Sequence, residues 1–177
     1  VTYEGQQALV YHPESLLTHL DELAHEALPG SEAVFVIESA WAERAVIVEE
    51  FVYGREFSCV VVRNEDTSTT ALPPTEISKG PGEFDVHSNH ITGMSRRETP
   101  IQLPDTQIDN IRRECTRLFQ ELGFGAYARI DGFVTDDGRI LINDPNNTSP
   151  LLPASLLFHQ AAEIGLNASQ FLTFIVR

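Results

Sequence analysis

The stretch Tyr127–Pro150, YARIDGFVTDDGRILINDPNNTSP, decides how this chain is read. Ala128 to Val134 alternates apolar and polar residues, Asp137-Gly138 follows, and Ile140-Leu141-Ile142 resumes the apolar pattern. Asp-Gly between two such runs is a hairpin signal, because a type I′ turn needs positive φ at both central residues. With Asp137 and Gly138 as a two-residue loop, 136 faces 139. Asp131 then faces Asp144, and Arg129 faces Asn146. Side chains alternate along a strand, so 129 and 131 share one face.

Two carboxylates opposite each other on a sheet repel. A cation between them removes that cost. Facing residues have Cβ atoms roughly 5 Å apart, so two short acids can share an ion bound through oxygen at about 2.0–2.1 Å. Asn146 can add a carbonyl oxygen. An all-oxygen set points to Mg²⁺ or Mn²⁺ rather than zinc. Mg²⁺ held by few carboxylates completes its shell with water and phosphate, which suggests a phosphate-bearing nucleotide. The same pattern also fits a solvated hairpin that binds nothing, and a slip of one residue would part the two acids.

These residues resemble the C-terminal lobe of the D-alanine–D-alanine ligases, of the ATP-grasp superfamily. The matching elements are Arg129-Ile130-Asp131, Asp144-Pro145-Asn146 and Ser155-Leu156. Upstream, Val48 to Phe57 (VEEFVYGREF) resembles the family's nucleotide-clasping strand and turn, and Leu72 to Ile77 the segment after it. Phe84 to Gly93 falls where the family has a mobile loop. The resemblance covers roughly residues 45–177.

The resemblance implies an α+β fold: an ATP-grasp-type domain with a mainly antiparallel sheet flanked by helices. Residues 1–48 would be a remnant of the first lobe. Residues 49–177 would be the second lobe, with the metal-site hairpin and a mobile loop at 78–100. It also implies ATP and Mg²⁺ (or Mn²⁺) as cofactors and D-amino acids as substrates. Glu49 would accept from the adenine amino group, the Val52 backbone would meet the adenine, and Glu56 would bind the ribose hydroxyls. Asp131, Asp144 and Asn146 would hold the metal against the phosphates. Arg129 would stabilise charge at the reacting carboxyl, and Ser155 would bind the carboxylate of the second amino acid. The implied reaction is ATP-dependent ligation of two D-alanines through an acyl phosphate.

Three departures from the family pattern stand out. Asp144 replaces a glutamate. Pro150, which has no N–H, replaces a glycine whose amide donates to an oxyanion. Asn89 and His90 replace the loop's Lys-Tyr pair, and Lys79 is the chain's single lysine. These keep open a ligase for another carboxylate–amine pair, and a non-catalytic nucleotide-binding or scaffolding module.

The 177 residues carry a formal net charge of −14, which argues against nucleic acid and anionic membrane partners. No apolar run approaches a membrane span. Cys59 and Cys115 sit in apolar segments and read as buried reduced thiols, consistent with a cytoplasmic protein. A chain opening at Val1, with Met94 as its single methionine, is expected to be part of a longer protein whose N-terminal substrate domain lies upstream. A homodimer is compatible with this reading.

In order, the pattern predicts a helix from about Ser15 to Leu28 and a strand at Ala33 to Ile37. Strands at Ala45 to Phe51 and Glu56 to Arg63 follow, with a turn at Asn64 to Thr69. Ala71 to Ile77 reads as an edge strand broken by Pro73-Pro74. Ser78 to Pro100 has no period and reads as a long loop. Helices are predicted at Pro104 to Leu122, Ala154 to Ile164 and Ala168 to Val176.

Overall fold

The computed structural model describes residues 2, 3, 6, 7, 49–79 and 95–176. The predicted helix at 15–28, the strand at 33–37 and the loop residues Asn89 and His90 lie outside them. The chain divides into two compact units, Val1–Phe51 with Pro81–Thr92, and Val52–Gly80 with Gly93–Arg177. In the first, β1 (Thr2–Tyr3) pairs antiparallel with β2 (Gln6–Gln7). Glu49 to Phe51, predicted as a strand end, carry no regular structure.

The second unit is built on β3 (Arg55–Arg63), whose middle six residues are all buried. A strand buried on both faces is one covered from both sides. β3 is flanked by β4 (Thr69–Ala71), β5 (Thr75–Lys79) and β7 (Tyr127–Val134). β6 (Ser95–Glu98) extends the sheet beyond β5, and β8 (Ile140–Asn146) extends it beyond β7. Every pairing is antiparallel.

Two expectations are corrected here. β5 is an interior strand between β3 and β6, not an edge. The prolines separate β4 from β5, and β6 pairs along β5's outer side. The segment 78–100 is not all loop: β5 runs to Lys79, and Ser95-Arg96-Arg97-Glu98 form β6. A strand of polar and charged residues has no apolar alternation to reveal it, and charge suits an outer strand because it discourages further pairing.

Helix α1 (Asp105–Glu121) covers one face, burying Ile111, Cys115 and Phe119. Phe57, Cys59, Val61, Ala71, Ile101, Ala128, Ile130 and Val134 complete that core. Helices α2 (Leu156–Glu163) and α3 (Ala168–Val176) cover part of the other face. Their core joins Leu157, Ala161 and Phe171 to Val60, Val62 and Leu72. Both cysteines are buried and free. Among the described residues no helix is long and apolar enough to cross a membrane.

The break at Pro73-Pro74 leaves the middle of β3 without a paired strand on its β4/β5 side, since proline supplies no N–H, while β7 pairs along its other side. Gln160 of α2, wholly buried, takes the strand's place. Its Oε1 accepts from the Val60 amide at 2.9 Å, and its Nε2 donates to the Ser58 carbonyl at 2.9 Å. The same Nε2 lies 3.1 Å from the Thr75 hydroxyl on β5.

Candidate metal and nucleotide site

The β7–β8 hairpin does place Asp131 opposite Asp144 and Arg129 opposite Asn146. The route differs from the one the sequence suggests. The Thr135 amide donates to the Arg139 carbonyl, and the Gly138 amide donates to the Thr135 carbonyl. The loop is therefore the three residues Asp136, Asp137 and Gly138, with Gly138 at φ +82°. This is a type I turn closed by a left-handed glycine rather than a two-residue I′ turn. Val134 consequently faces Ile140, one residue off the expected register. An irregularity between Asp131 and Gly132, with Asn143 as the extra residue, restores the register at the acids. Gly132 is required there: a Cβ would stand 2.5 Å from the Leu141 carbonyl oxygen and 3.0 Å from the Phe57 ring.

β7 alternates half-buried and buried residues along its whole length. Ala128, Ile130, Gly132 and Val134 face α1. Tyr127, Arg129, Asp131 and Phe133 face the α2 side. Their β3 partners are Val62, Val60, Ser58 and Glu56. The α2 side of the sheet thus has an apolar half beneath the helices and a polar half carrying Glu56, Ser58, Arg129, Asp131 and Asp144.

Within the polar half, Arg129 clamps Asp131, with Nη2 at 2.8 Å from Oδ2 and Nε at 3.1 Å from Oδ1. Burial raises the Asp131 carboxyl above the usual carboxylate range; Arg129 opposes this and the facing Asp144 adds to it. The Ser58 hydroxyl lies against Asp131 and favours its charged form, yet finds no partner of full hydrogen-bond geometry. Asp144 is exposed, and its Oδ2 accepts from the Asn146 amide at 2.7 Å. Two facing carboxylates with an adjacent side-chain amide make a hard-oxygen donor set that fits Mg²⁺ or Mn²⁺. Among the described residues no cluster of three or more His, Cys, Asp or Glu offers a metal a richer set.

Ser155 is the N-cap of α2, but its hydroxyl makes no capping bond; the Oγ is buried without a partner. Glu56 lies between Ile77 and Phe133 on the site face. Val52 is half-buried in the same unit, whereas Glu49 is exposed and belongs to the first unit. The structure therefore brings Glu56, Arg129, Asp131, Asp144 and Asn146 onto one polar surface, and sets Ser155 at the start of the helix over the adjoining apolar half. Sequence reasoning missed Gln160, which locks α2 to this surface. Its signal was a glutamine in the otherwise apolar inward series of Leu156, Leu157 and Ala161.

Residues 32–177 match the family model described as the D-ala D-ala ligase C-terminus. The chain belongs to that family. It is 32% identical over 124 residues to a D-alanine–D-alanine ligase of Acetivibrio thermocellus, covering 70% of this chain and 32% of the relative. A Pediococcus pentosaceus D-alanine–D-alanine ligase is 33% identical over 132 residues, covering 74% of this chain and 36% of the relative. This chain thus spans about a third of the length of these two relatives. Among solved structures, the Bacillus anthracis D-alanine–D-alanine ligase complexed with ATP superposes with a TM-score of 0.58 at 24% identity, covering 72% of this chain and 38% of that one. The VanG D-Ala:D-Ser ligase from Enterococcus faecalis gives 0.60 at 22%, covering 72% and 36%. These likenesses bear out the expected fold class, an antiparallel ATP-grasp-type sheet flanked by helices.

Proposed function

We propose that this chain supplies the ATP- and metal-binding part of a protein that ligates two D-alanines in the cytoplasm. The observation that carries the reading is the register that sets Asp131 against Asp144 beside Arg129 and Asn146, in a chain that belongs to this family. Asp131, Asp144 and Asn146 would hold Mg²⁺ or Mn²⁺. When bound, that ion neutralises charge on the ATP phosphates. Glu56 binds the ribose hydroxyls, and Glu49 and the Val52 backbone meet the adenine. Residues 1–48 are the remnant of the first lobe, and the rest of the chain the second.

Arg129 lies on the same face as the metal acids, where its guanidinium stabilises the carboxyl of the first D-alanine as it takes up the γ-phosphoryl group. Attack by the second amine on the resulting acyl phosphate releases phosphate and forms the amide. Ser155 presents a hydroxyl without a protein partner, which the carboxylate of the second amino acid would satisfy.

Pro150 favours a variant of this reading, in which the acid or amine differs from D-alanine. It offers no N–H where the family places an oxyanion donor, and loss of such a donor costs about 10²–10³ in rate. The test is the full-length protein with ATP, Mg²⁺ and D-alanine. The expected result is dipeptide and phosphate in equal amounts. Phosphate release with D-alanine but no dipeptide would point to another amine. Neither product would contradict the D-alanine assignment.

A further inference from the structure

On the α2 side of β3, Val60 and Val62 are buried in the apolar cluster beneath the helices. Ser58 continues that side two residues upstream and is also wholly buried. A buried donor without an acceptor destabilises a fold, and alanine would fill the same space without one. The reason for a hydroxyl at this position lies in its neighbours.

Ser58 belongs to a row of polar side chains that crosses the sheet. Asp144 on β8 faces Asp131 on β7, Asp131 faces Ser58 on β3, and Ser58 faces Thr75 on β5. The Thr75 hydroxyl lies 2.6 Å from the Thr99 hydroxyl just past β6. Facing residues have Cβ atoms roughly 5 Å apart, so the Ser58 hydroxyl can meet either ladder partner.

Thr75 is already engaged. Gln160 Nε2 donates to its Oγ1 at 3.1 Å, and Thr99 holds it from the other side. Gln160 also pins the strand itself, through the Val60 amide and the Ser58 carbonyl, so Ser58 is held in place beside Asp131. The Ser58 Oγ lies against Asp131 and has no other partner. Hydrogen bonds to a charged acceptor are the stronger ones, which makes the Asp131 carboxylate the acceptor this serine is placed for. Arg129 grips the same carboxylate along β7, with Nη2 at 2.8 Å from Oδ2. Asp131 thus takes donors from β3 and β7, and the strand on its remaining side is β8 with Asp144.

We propose that Ser58 is a positioning residue for the metal site: its hydroxyl donates to Asp131 and sets the rotation of that carboxylate towards Asp144. The inference rests on the metal reading above. Ser58 does not touch the ion; it acts through Asp131. Partners of this kind behind a metal ligand fix its orientation, and their loss costs about 10- to 100-fold in metal affinity.

The test uses the full-length protein and two measurements, calorimetric titration with ATP in the presence and absence of Mn²⁺ and melting curves without metal. Ser58→Ala is expected to bind Mn²⁺-ATP roughly 10- to 100-fold more weakly than wild type. Its melting temperature should be unchanged or raised, because the substitution removes a buried hydroxyl and leaves no partner of full geometry orphaned. Ser58→Thr keeps the hydroxyl on a residue that suits a strand and should recover most of the affinity. Unchanged Mn²⁺-ATP affinity in Ser58→Ala overturns the inference. A weaker affinity accompanied by a lower melting temperature also overturns it, since that would assign the hydroxyl to the fold. A wild-type protein whose ATP affinity does not respond to Mn²⁺ overturns the metal reading and the inference together, an outcome distinct from the first two.

Discussion

The two faces of the β3-centred sheet are built to different rules. The α1 face is a closed apolar core in which Phe57, Ile111, Phe119 and Ile130 are fully buried. The α2 face is apolar only beneath the helices and then turns into a half-exposed strip of charged and polar residues. The same strands make both faces, since alternate residues point to opposite sides. What differs is what each face can tolerate. The α1 face keeps its charges at the rim, where Arg55 pairs with Glu76 and Arg96 with Glu98. The strip carries two facing acids whose repulsion burial worsens at Asp131, a cost that a cation removes. The difference teaches that the α1 face holds the fold and the strip holds the chemistry, so substitutions on the two should separate stability from binding.

The largest effect should come from the α1 face. Phe119→Ala is expected to cost about 3–5 kcal/mol, the usual range for a truncated buried aromatic. Denaturant unfolding measures this, and the magnesium dependence of nucleotide binding should survive in whatever fraction stays folded. Gln160→Leu should come next, because it orphans the buried Val60 amide and Ser58 carbonyl at about 1–3 kcal/mol each. Unlike Phe119→Ala, it loosens α2 on the apolar half beside the strip, so it should weaken binding as well as stability.

Gly132→Ala sharpens the comparison, because Gly132 faces α1 while sitting in the irregularity that aligns the acids. Crowding of this kind costs about 1–3 kcal/mol. The metal affinity of the folded protein should fall with it, as calorimetry with Mg²⁺-nucleotide would show. If metal affinity were unchanged, the link between the bulge and the acid pairing would be broken.

Asp131→Asn should have the smallest effect on stability, and of opposite sign. The folded pKa of Asp131 is raised, so its protonated form favours the fold. Its stabilising contribution is complete below the pKa of the unfolded chain and is lost as pH rises through the folded value. Asparagine removes that loss, so the variant should be slightly more stable than wild type at neutral pH without metal. The advantage should shrink as pH falls towards 4, and melting curves at the two pH values test it. On the other face, Cys115 is held protonated by its contact with Cys59 and by burial, which push its thiol far up. Neither cysteine should react with thiol reagents until the protein unfolds.

Much of this was legible in the sequence. The alternation of Ala128 to Val134 gave the two faces of β7, and the facing of Asp131 and Asp144 followed from the Asp-Gly turn. That pairing survived because two offsets cancel: a loop one residue longer than expected and a bulge beside Gly132. Glycine at 132 hinted at the second, but turn residues alone could not reveal it. β6 was illegible because Ser-Arg-Arg-Glu has no apolar residue to mark a strand. Gln160 could be noticed as a polar residue among inward positions, but its partners lie about 100 residues away in sequence, and only the fold brings them together.

The central claim is that the strip binds nucleotide through a metal held by Asp131 and Asp144. Calorimetric titration of ATP with and without Mg²⁺, on wild type and Asp131→Asn, tests it most directly. The account predicts binding that needs Mg²⁺ in wild type and is abolished in Asp131→Asn. Equal ATP affinity with and without Mg²⁺, or an unchanged affinity in the variant, would contradict it.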